Sequence, residues 1–529
     1  MTRNDALLTG GPIWTGHRHV EAVAIADGRV VAAGRREEAE SSLRAGFDVI
    51  DLEGRRAIPG LIDSHVHVLR AGLTWNHTVR WDDIDSLEEG LARIRRAAAS
   101  RPAGTWLRVL GGWHPGRFRE GRGPTPEELD QAAGDHPAYV QLLYEEAVLN
   151  RIGMERLLSA GETPGVERDG SGNPTGRVTG AVAFAKVSSL FERPTPDEEA
   201  ASTRSLVADL ASRGVTGALD PGGFGITPES YRTLFGLWRR GELDLRVRLY
   251  LVPGTRGEEL ADVRNWVRYI QPGFGDDILR YVGMGEILAF GCHDMEGVRP
   301  FEVTEAAKKD LAEIVDVLAA AGWPIHLHAI FDSTIDAVLE VWEEADRRHG
   351  LRGRRFSLAH AEAISRRNLE RVAALGAGVA IQNRLMYRSA DSAALWGEEA
   401  ANNAPPLGDI LDLGIPLGAG TDATVVTPHD PWLSIWWLVT GKSFDGAPPR
   451  AERHRLTVEQ ALAAYTRGSA WFSFEEETRG HLEPGALADV AVLSDDPFEI
   501  DPDRLPSLRS ELTLLGGRPI HTTTPYSGA

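Results

Sequence analysis

The chain is poor in sulfur, in positive charge and in long apolar runs. One cysteine, Cys292, stands among 529 residues. A single thiol excludes an intrachain disulfide and a thiolate-held metal cluster. Lysine and arginine number 57 against 77 aspartate and glutamate, a net charge of −20. Such a surface repels phosphates, which argues against nucleic acid or an anionic membrane as the main partner. No uninterrupted apolar stretch is long enough to span a bilayer. Met1-Thr-Arg-Asn-Asp-Ala6 lacks the charged-then-apolar pattern of an export signal, so the expected location is cytoplasmic. With 42% hydrophobic and 25% charged residues the composition is that of a soluble globular protein. The length exceeds one compact core and implies a large domain with additions.

Strand-like runs recur near 61–66, 215–220, 245–252, 280–287, 324–329, 355–361, 377–383 and 415–422. Helical patterns such as Thr304–Ala321 and Asp332–His349 separate them. Alternating strand and helix implies parallel strands, and eight such units imply a (β/α)8 TIM barrel within 57–479. No internal sequence repeat accompanies it. The long gap at 68–200 holds helices (Leu87–Ser100, Thr125–Ala133), strands (Trp106–Leu110, Ala138–Tyr144) and the glycine-rich Asp169–Gly176. No Pro/Ser-rich linker flanks it, so it reads as a large insertion after barrel strand 1, lying over the barrel mouth. The ends, 1–56 and 480–529, are short β runs. Asp27-Gly28 marks a hairpin, and Asp489–Leu493 and Glu511–Ile520 repeat the style at the other end. Neither end can build its own core, but together they can close a small composite β-sandwich.

Ala57-Ile-Pro-Gly-Leu-Ile-Asp-Ser-His-Val-His67 is the organising stretch. Residues i and i+2 of a strand share a face, so His65 and His67 leave one strand end together and can grip one metal ion. Neutral imidazole suits zinc and its neighbours. Other runs also end in ligand-type residues: Glu286, His328, His360 and Asp422. Barrel active sites lie at the C-terminal strand ends, where all six fall. Nitrogen and oxygen donors without sulfur suit Zn, Mn, Fe, Co or Ni, as one or two divalent ions with zinc first among them. A bound ion lowers the pKa of its water to about 7 and makes hydroxide available. Asp422 is then the natural base, accepting the water's proton and returning it to a leaving nitrogen. His326 shares a face with His328 one layer deeper, which suits packing or support of a ligand.

Pro59-Gly-Leu-Ile-Asp-Ser-His-Val-His67 resembles the first-strand motif of the metal-dependent amidohydrolase superfamily. Pro324–Asp332, Leu358–Ala361 and Gly418–Ala423 resemble its fifth, sixth and eighth strands, and Gly480–Val490 its C-terminal signature. The nearest branch contains N-substituted formamide deformylases. The resemblance implies a metal-dependent hydrolase of a C–N bond, with the barrel, the composite sandwich and the site roles just given; His360 joins Asp422 as a catalytic candidate. One departure stands out. Many relatives bridge two metals with a carboxylated lysine on the fourth strand, and Leu279–Cys292 contains no lysine. Either Glu286 bridges the metals or the site holds one ion.

Substrate-side candidates are Trp113 and His114 after one insertion strand, Tyr144 at the end of another, and Arg384 beyond the seventh barrel strand. Several of the fourteen tryptophans, Trp113, Trp396 and Trp432 among them, fall in expected mouth loops. An aromatic-lined pocket would favour a small molecule with an apolar or aryl group; packing of core and lid is the other reading. Arg384 could bind a carboxylate or make a structural salt bridge. Cys292-His293 follows strand four, with Cys292 expected as a buried, inert thiol. The expected reaction is hydrolysis of an amide or formamide by metal-activated hydroxide. The alternatives are a deaminase or cyclic-amide hydrolase on the same site, or a catalytically silent barrel that binds a partner. A homodimer is left open.

Overall fold

The computed structural model describes residues 5–295 and 301–523. Eight parallel strands follow one another in chain order around one sheet. They are Leu61–Asp63, Val215–Asp220, Arg246–Leu251, Leu279–Glu286, Ile325–Ala329, Ser357–His360, Gly378–Gln382 and Leu417–Gly420, called here barrel strands one to eight. Every residue of strands two, three, five, six, seven and eight is buried, as expected of strands covered by helices outside and side chains inside. Strand eight comes back to strand one through Ser64 N to Ala419 O (3.0 Å) and Asp422 N to His65 O (2.8 Å). These bonds nearly close the barrel.

The helices end where their sequences say. Thr304 accepts from Ala307 N and starts Glu305–Ala320. Asp332–His349 stops at Gly350, whose φ is +66°, a conformation glycine adopts without a Cβ penalty. No helix among the described residues is long and apolar enough to cross a membrane.

Both ends of the chain share one six-stranded sheet. Its order runs Arg518–Thr522, Ser510–Leu515, Val490–Leu493, Ala57–Pro59, Ile13–Trp14, His19–Val20. Ala57–Pro59, which the pattern assigns to the head of the barrel, instead pairs antiparallel with Val490–Val492. Gly60 separates it from barrel strand one. A four-stranded sheet of residues 6–51 packs alongside, and the two share an apolar cluster that includes Leu8, Ile25, Val490 and Leu514. Residues 1–4 and 524–529 of the terminal segments lie outside the described residues.

Residues 68–200 carry a five-stranded sheet and two apolar clusters of their own. They meet the loops at the C-terminal ends of the barrel strands. Gly112 N donates to Val425 O at 3.1 Å, three residues past Asp422. The His114 ring stacks on Tyr387, beyond strand seven, with centroids 5.2 Å apart. Arg388 and Glu145 form an ion pair.

Candidate metal centre

His65 and His67 lie two and four residues beyond the end of strand one, on backbone that stays tied to its neighbours. Val66 N donates to Leu219 O (3.0 Å) and His67 N to Ala423 O (3.2 Å). The extended path therefore outlasts the strand, and the two rings stand with centroids 5.5 Å apart. Asp63 holds this corner. It accepts from His65 N, Thr421 N and Thr421 Oγ1 at 3.0, 3.1 and 2.7 Å. Its pKa is pushed up to about 6 by burial, which those hydrogen bonds only partly offset.

Glu286 occupies the middle. Its Oε2 lies 3.4 Å from His65 Nε2, 3.5 Å from His328 Nδ1 and 3.8 Å from His360 Nε2. Its Oε1 lies 3.6 Å from His67 Nε2. Gly285 makes this placement possible: φ is +145°, and a Cβ there would sit 1.8 Å from His326 O. Asp422 Oδ1 stands 3.1 Å from His67 Nε2 and 3.6 Å from His65 Nε2. The structure thus brings together all six residues that the strand-end pattern selects. Each is at most 5% exposed.

The outer faces of the rings are anchored. His67 Nδ1 donates to Gly222 O at 2.9 Å, leaving the Nε2 lone pair directed at the carboxylates. His328 Nε2 donates to Asp294 O at 2.9 Å and lies 3.1 Å from Asp294 Oδ1, leaving Nδ1 inward. His65 Nδ1 meets His326 Nε2 at 3.0 Å, and His326 Nδ1 meets Ser357 Oγ at 2.9 Å. His326 therefore supports a neighbour from one layer down, as its position implies. Among the described residues His360 is held only through its backbone, whose N–H donates to Gln382 Oε1 at 2.8 Å. Outer partners such as those of His65, His67 and His328 fix the tautomer and orientation of a ligating ring.

Several atoms of the centre have no hydrogen bond among the described residues: His65 Nε2, His328 Nδ1, both nitrogens of His360, and Asp422 Oδ2. His67 Nε2 is within hydrogen-bond distance of Asp422 Oδ1, at 3.1 Å. Three sets of donors each lie within a metal's reach: His65, His67 and Glu286; Glu286, His328 and His360; His65, His360 and Asp422. Two buried carboxylates also need positive charge nearby. The protein supplies some by protonation. Burial alone would lower the His65 pKa, but Asp422 and Glu286 overcome it and hold it up to about 9. Burial, with His328 beside it, lowers His360 to about 4. Burial would raise Asp422, yet His65 and His67 keep it below the usual carboxylate range. Orphaned lone pairs, an all-N/O donor set and concentrated negative charge fit one or two divalent cations.

The substrate-side candidates fare differently. Trp113 is 3% exposed and belongs to the insertion's core, stacked on Phe118 at 5.4 Å, with Nε1 donating to Gln141 O. Trp432 lies in the helix Pro431–Thr440, not in a loop, fully buried, with Nε1 donating to Arg213 O. Trp396 closes the helix Leu385–Trp396 and meets Phe331 edge-on. Arg384 is 1% exposed and forks onto Glu362, the salt-bridge alternative. Tyr144 sits past the end of its strand, Ala138–Leu142, because Leu143 (φ +49°) turns the chain into a hairpin. His114 faces Tyr387, its Nδ1 accepting from Gly116 N, and burial lowers its pKa to about 4. Cys292 is buried, and burial pushes its thiol up to about 12.

Asp294, Asp220 and His293 were not selected as site residues from the sequence. Asp294 is fully buried and accepts from Ile330 N and Phe331 N at 3.0 Å each. Asp220 accepts from Leu69 N at 2.7 Å and Gly222 N at 2.9 Å. The His293 ring lies 3.9 Å from that of His328.

A sequence profile described as the amidohydrolase family matches residues 48–521. The putative amidohydrolase YtcJ of Bacillus subtilis is 25% identical over 550 residues, 98% of this chain and 99% of that protein. The N-substituted formamide deformylase of Arthrobacter pascens is 25% identical over 527 residues, 94% of each chain. The crystal structure of an uncharacterized metal-dependent hydrolase from Pyrococcus horikoshii superposes with a TM-score of 0.70. It shares 24% identity over 94% of this chain and 99% of that one.

Proposed function

The chain belongs to the amidohydrolase family, and we propose that it is a metal-dependent hydrolase of small molecules that cleaves the C–N bond of an amide or formamide. The observation that carries this reading is the centre itself: two histidine pairs on either side of one buried glutamate, with their lone pairs turned inward. His65, His67 and Glu286 would hold one divalent ion, and Glu286, His328 and His360 a second. Zinc is the first candidate for these donors, and Glu286 takes the place of the bridging carboxylated lysine. When bound, such ions supply Lewis acidity toward a carbonyl oxygen and toward water.

The chain's own groups do the rest. Asp422 is anionic at neutral pH and has a lone pair free on Oδ2. It accepts a proton from the attacking water and returns it to the departing nitrogen, so that the C–N bond breaks as the new C–O bond becomes a carboxylic acid. Asp294, Gly222 O and His326 keep the imidazoles in one tautomer and direction. Residues 68–200 wall the mouth through their contacts with the loops after strands seven and eight. Similarity to a formamide deformylase supports an N-substituted formamide as the first substrate to try.

The test is elemental analysis of the purified protein together with a screen of N-substituted formamides, acyl amides and cyclic imides. Metal-dependent release of formate or another carboxylic acid is the expected result. Protein that binds no divalent metal, or is loaded and inert on every class, contradicts the reading.

A further inference from the structure

A cavity of about 390 Å³ opens between the helices Leu385–Trp396, Glu398–Asn402 and Pro431–Thr440 and the segment 441–450. None of the six residues of the metal centre lines it. Its volume falls in the range of small-molecule sites, about 300–1,000 Å³. Ala390, Ala393 and Ala401 give it small apolar walls, and Asp445 and Arg450 bring charge; Glu398, which also borders it, is exposed to water. The aspartate is satisfied. Its Oδ2 accepts from Ala390 N at 2.6 Å, and its Oδ1 from Ser443 Oγ at 2.6 Å and Ala447 N at 3.2 Å.

Arg450 is not. It is 4% exposed, and its partners are neutral. Nε donates to His454 O at 2.9 Å, and Nη2 to Trp437 O and Leu438 O at 3.1 and 3.0 Å, in the last turn of Pro431–Thr440. The guanidinium lies over the Trp437 ring, 4.5 Å from its centroid. Among the described residues Nη1 has no hydrogen-bond partner. Burial, with Arg455 beside it, lowers the pKa to about 9. A cation buried without an anion is costly, and a carboxylate is the group a guanidinium receives best. The cavity walls also lead to the barrel mouth. Phe444, next to Asp445, donates its N–H to Met386 O at 2.8 Å and stacks on Tyr387 with centroids 5.6 Å apart. Arg117 of the insertion lies 5.7 Å over the Phe444 ring, and Tyr387 stacks on His114 of the insertion.

We propose that this cavity is an effector site for a small carboxylate with an apolar body. The carboxylate binds Arg450 and the body lies against the alanines. Occupancy fixes the segment 441–450 and, through Phe444 and Tyr387, steadies the insertion over the barrel. The site is independent of the reaction at the metal centre. The competing role for Arg450 is that of a helix cap alone.

Calorimetric titration of the full-length, zinc-stripped protein with 4-bromobenzoate and with the neutral 4-bromobenzamide separates them. Wild type is expected to bind the carboxylate at least about tenfold tighter than the amide, about 1.4 kcal/mol. Ala393→Phe, which fills the cavity from its wall, should weaken both probes at least about tenfold with zinc uptake and circular dichroism unchanged. Arg450→Lys should narrow the preference for the carboxylate. Wild-type crystals soaked in 4-bromobenzoate should show an anomalous bromine peak within the cavity, a result that needs no variant to fold. Bound 4-bromobenzoate should slow hydrogen exchange at 441–450 and at 112–118. Absence of binding, equal affinities, affinity untouched by Ala393→Phe, or bromine found only elsewhere would overturn the site. An Arg450→Lys protein that loses stability but keeps the full preference would assign Arg450 to the cap alone and overturn it as well. Unchanged exchange at 112–118 with the cavity occupied would overturn its link to the insertion.

Discussion

Glu286→Gln keeps the shape of the central side chain and removes its charge. The carboxylate faces His65, His328 and His360 through one oxygen and His67 through the other, at 3.4–3.8 Å. It is the one carboxylate that belongs to two of the three donor sets. Losing a partner outside the ligand shell already costs about 10–100-fold in metal affinity. A residue inside the shell, shared by both ions, should cost at least about 100-fold for the weaker ion, or about 2.7 kcal/mol at 1.36 kcal/mol per tenfold. A chelator-competition titration reads this directly. Wild type should take up two equivalents of zinc and the variant one at most under the same free-metal concentration, with turnover falling in step. A Gln variant that holds two equivalents with dissociation constants within threefold of wild type would refute the shared-carboxylate argument.

Asp422→Asn should lower the hydrolysis rate at least about 100-fold, the lower end of the usual general-base contribution, while metal content stays within twofold; steady-state rates on zinc-loaded protein decide. Asp294→Asn loosens the outer anchor of His328, and competition titration should show zinc affinity down about 10–100-fold with the fold intact by circular dichroism. Stability should also fall in acid through Asp209. Burial would raise its pKa, but His429 and Arg213 overcome that and hold it down to about 2. Its contribution is present above the ordinary value of 3.8 and is lost as pH falls from about 4 toward 2. Urea midpoints across that window should drop less steeply in Asp209→Asn than in wild type, and parallel curves would rule the linkage out.

The barrel was legible because its signal is periodic. Eight apolar runs at βα spacing gave strands within a few residues of those found, and ligand-type residues at their ends converge because parallel strands all end on one face. Glu286 could be placed for the same reason, as the ligand-type residue at the end of the fourth run, and Gly285 before it proves to lie against His326 O. Residues beyond strand ends carried no such signal. Asp294 acts through backbone amides of another segment, a contact that no local spacing encodes; Asp220 does end strand two, but its bonds to Leu69 N and Gly222 N give it a supporting role. The tryptophans misled for the opposite reason. Trp113 lies in a loop as expected but is buried in the insertion's core, and Trp432 lies in a helix and not a loop, because large apolar side chains are drawn first to cores and seams.

The central claim, two ions sharing Glu286, is tested most directly by anomalous diffraction from zinc-loaded crystals at the zinc edge. The account predicts two peaks about 3.5–4 Å apart, one beside His65 and His67, the other beside His328 and His360, with the Glu286 carboxylate reaching both. A single peak whose ligands exclude Glu286, or peaks remote from the four histidines, would contradict it.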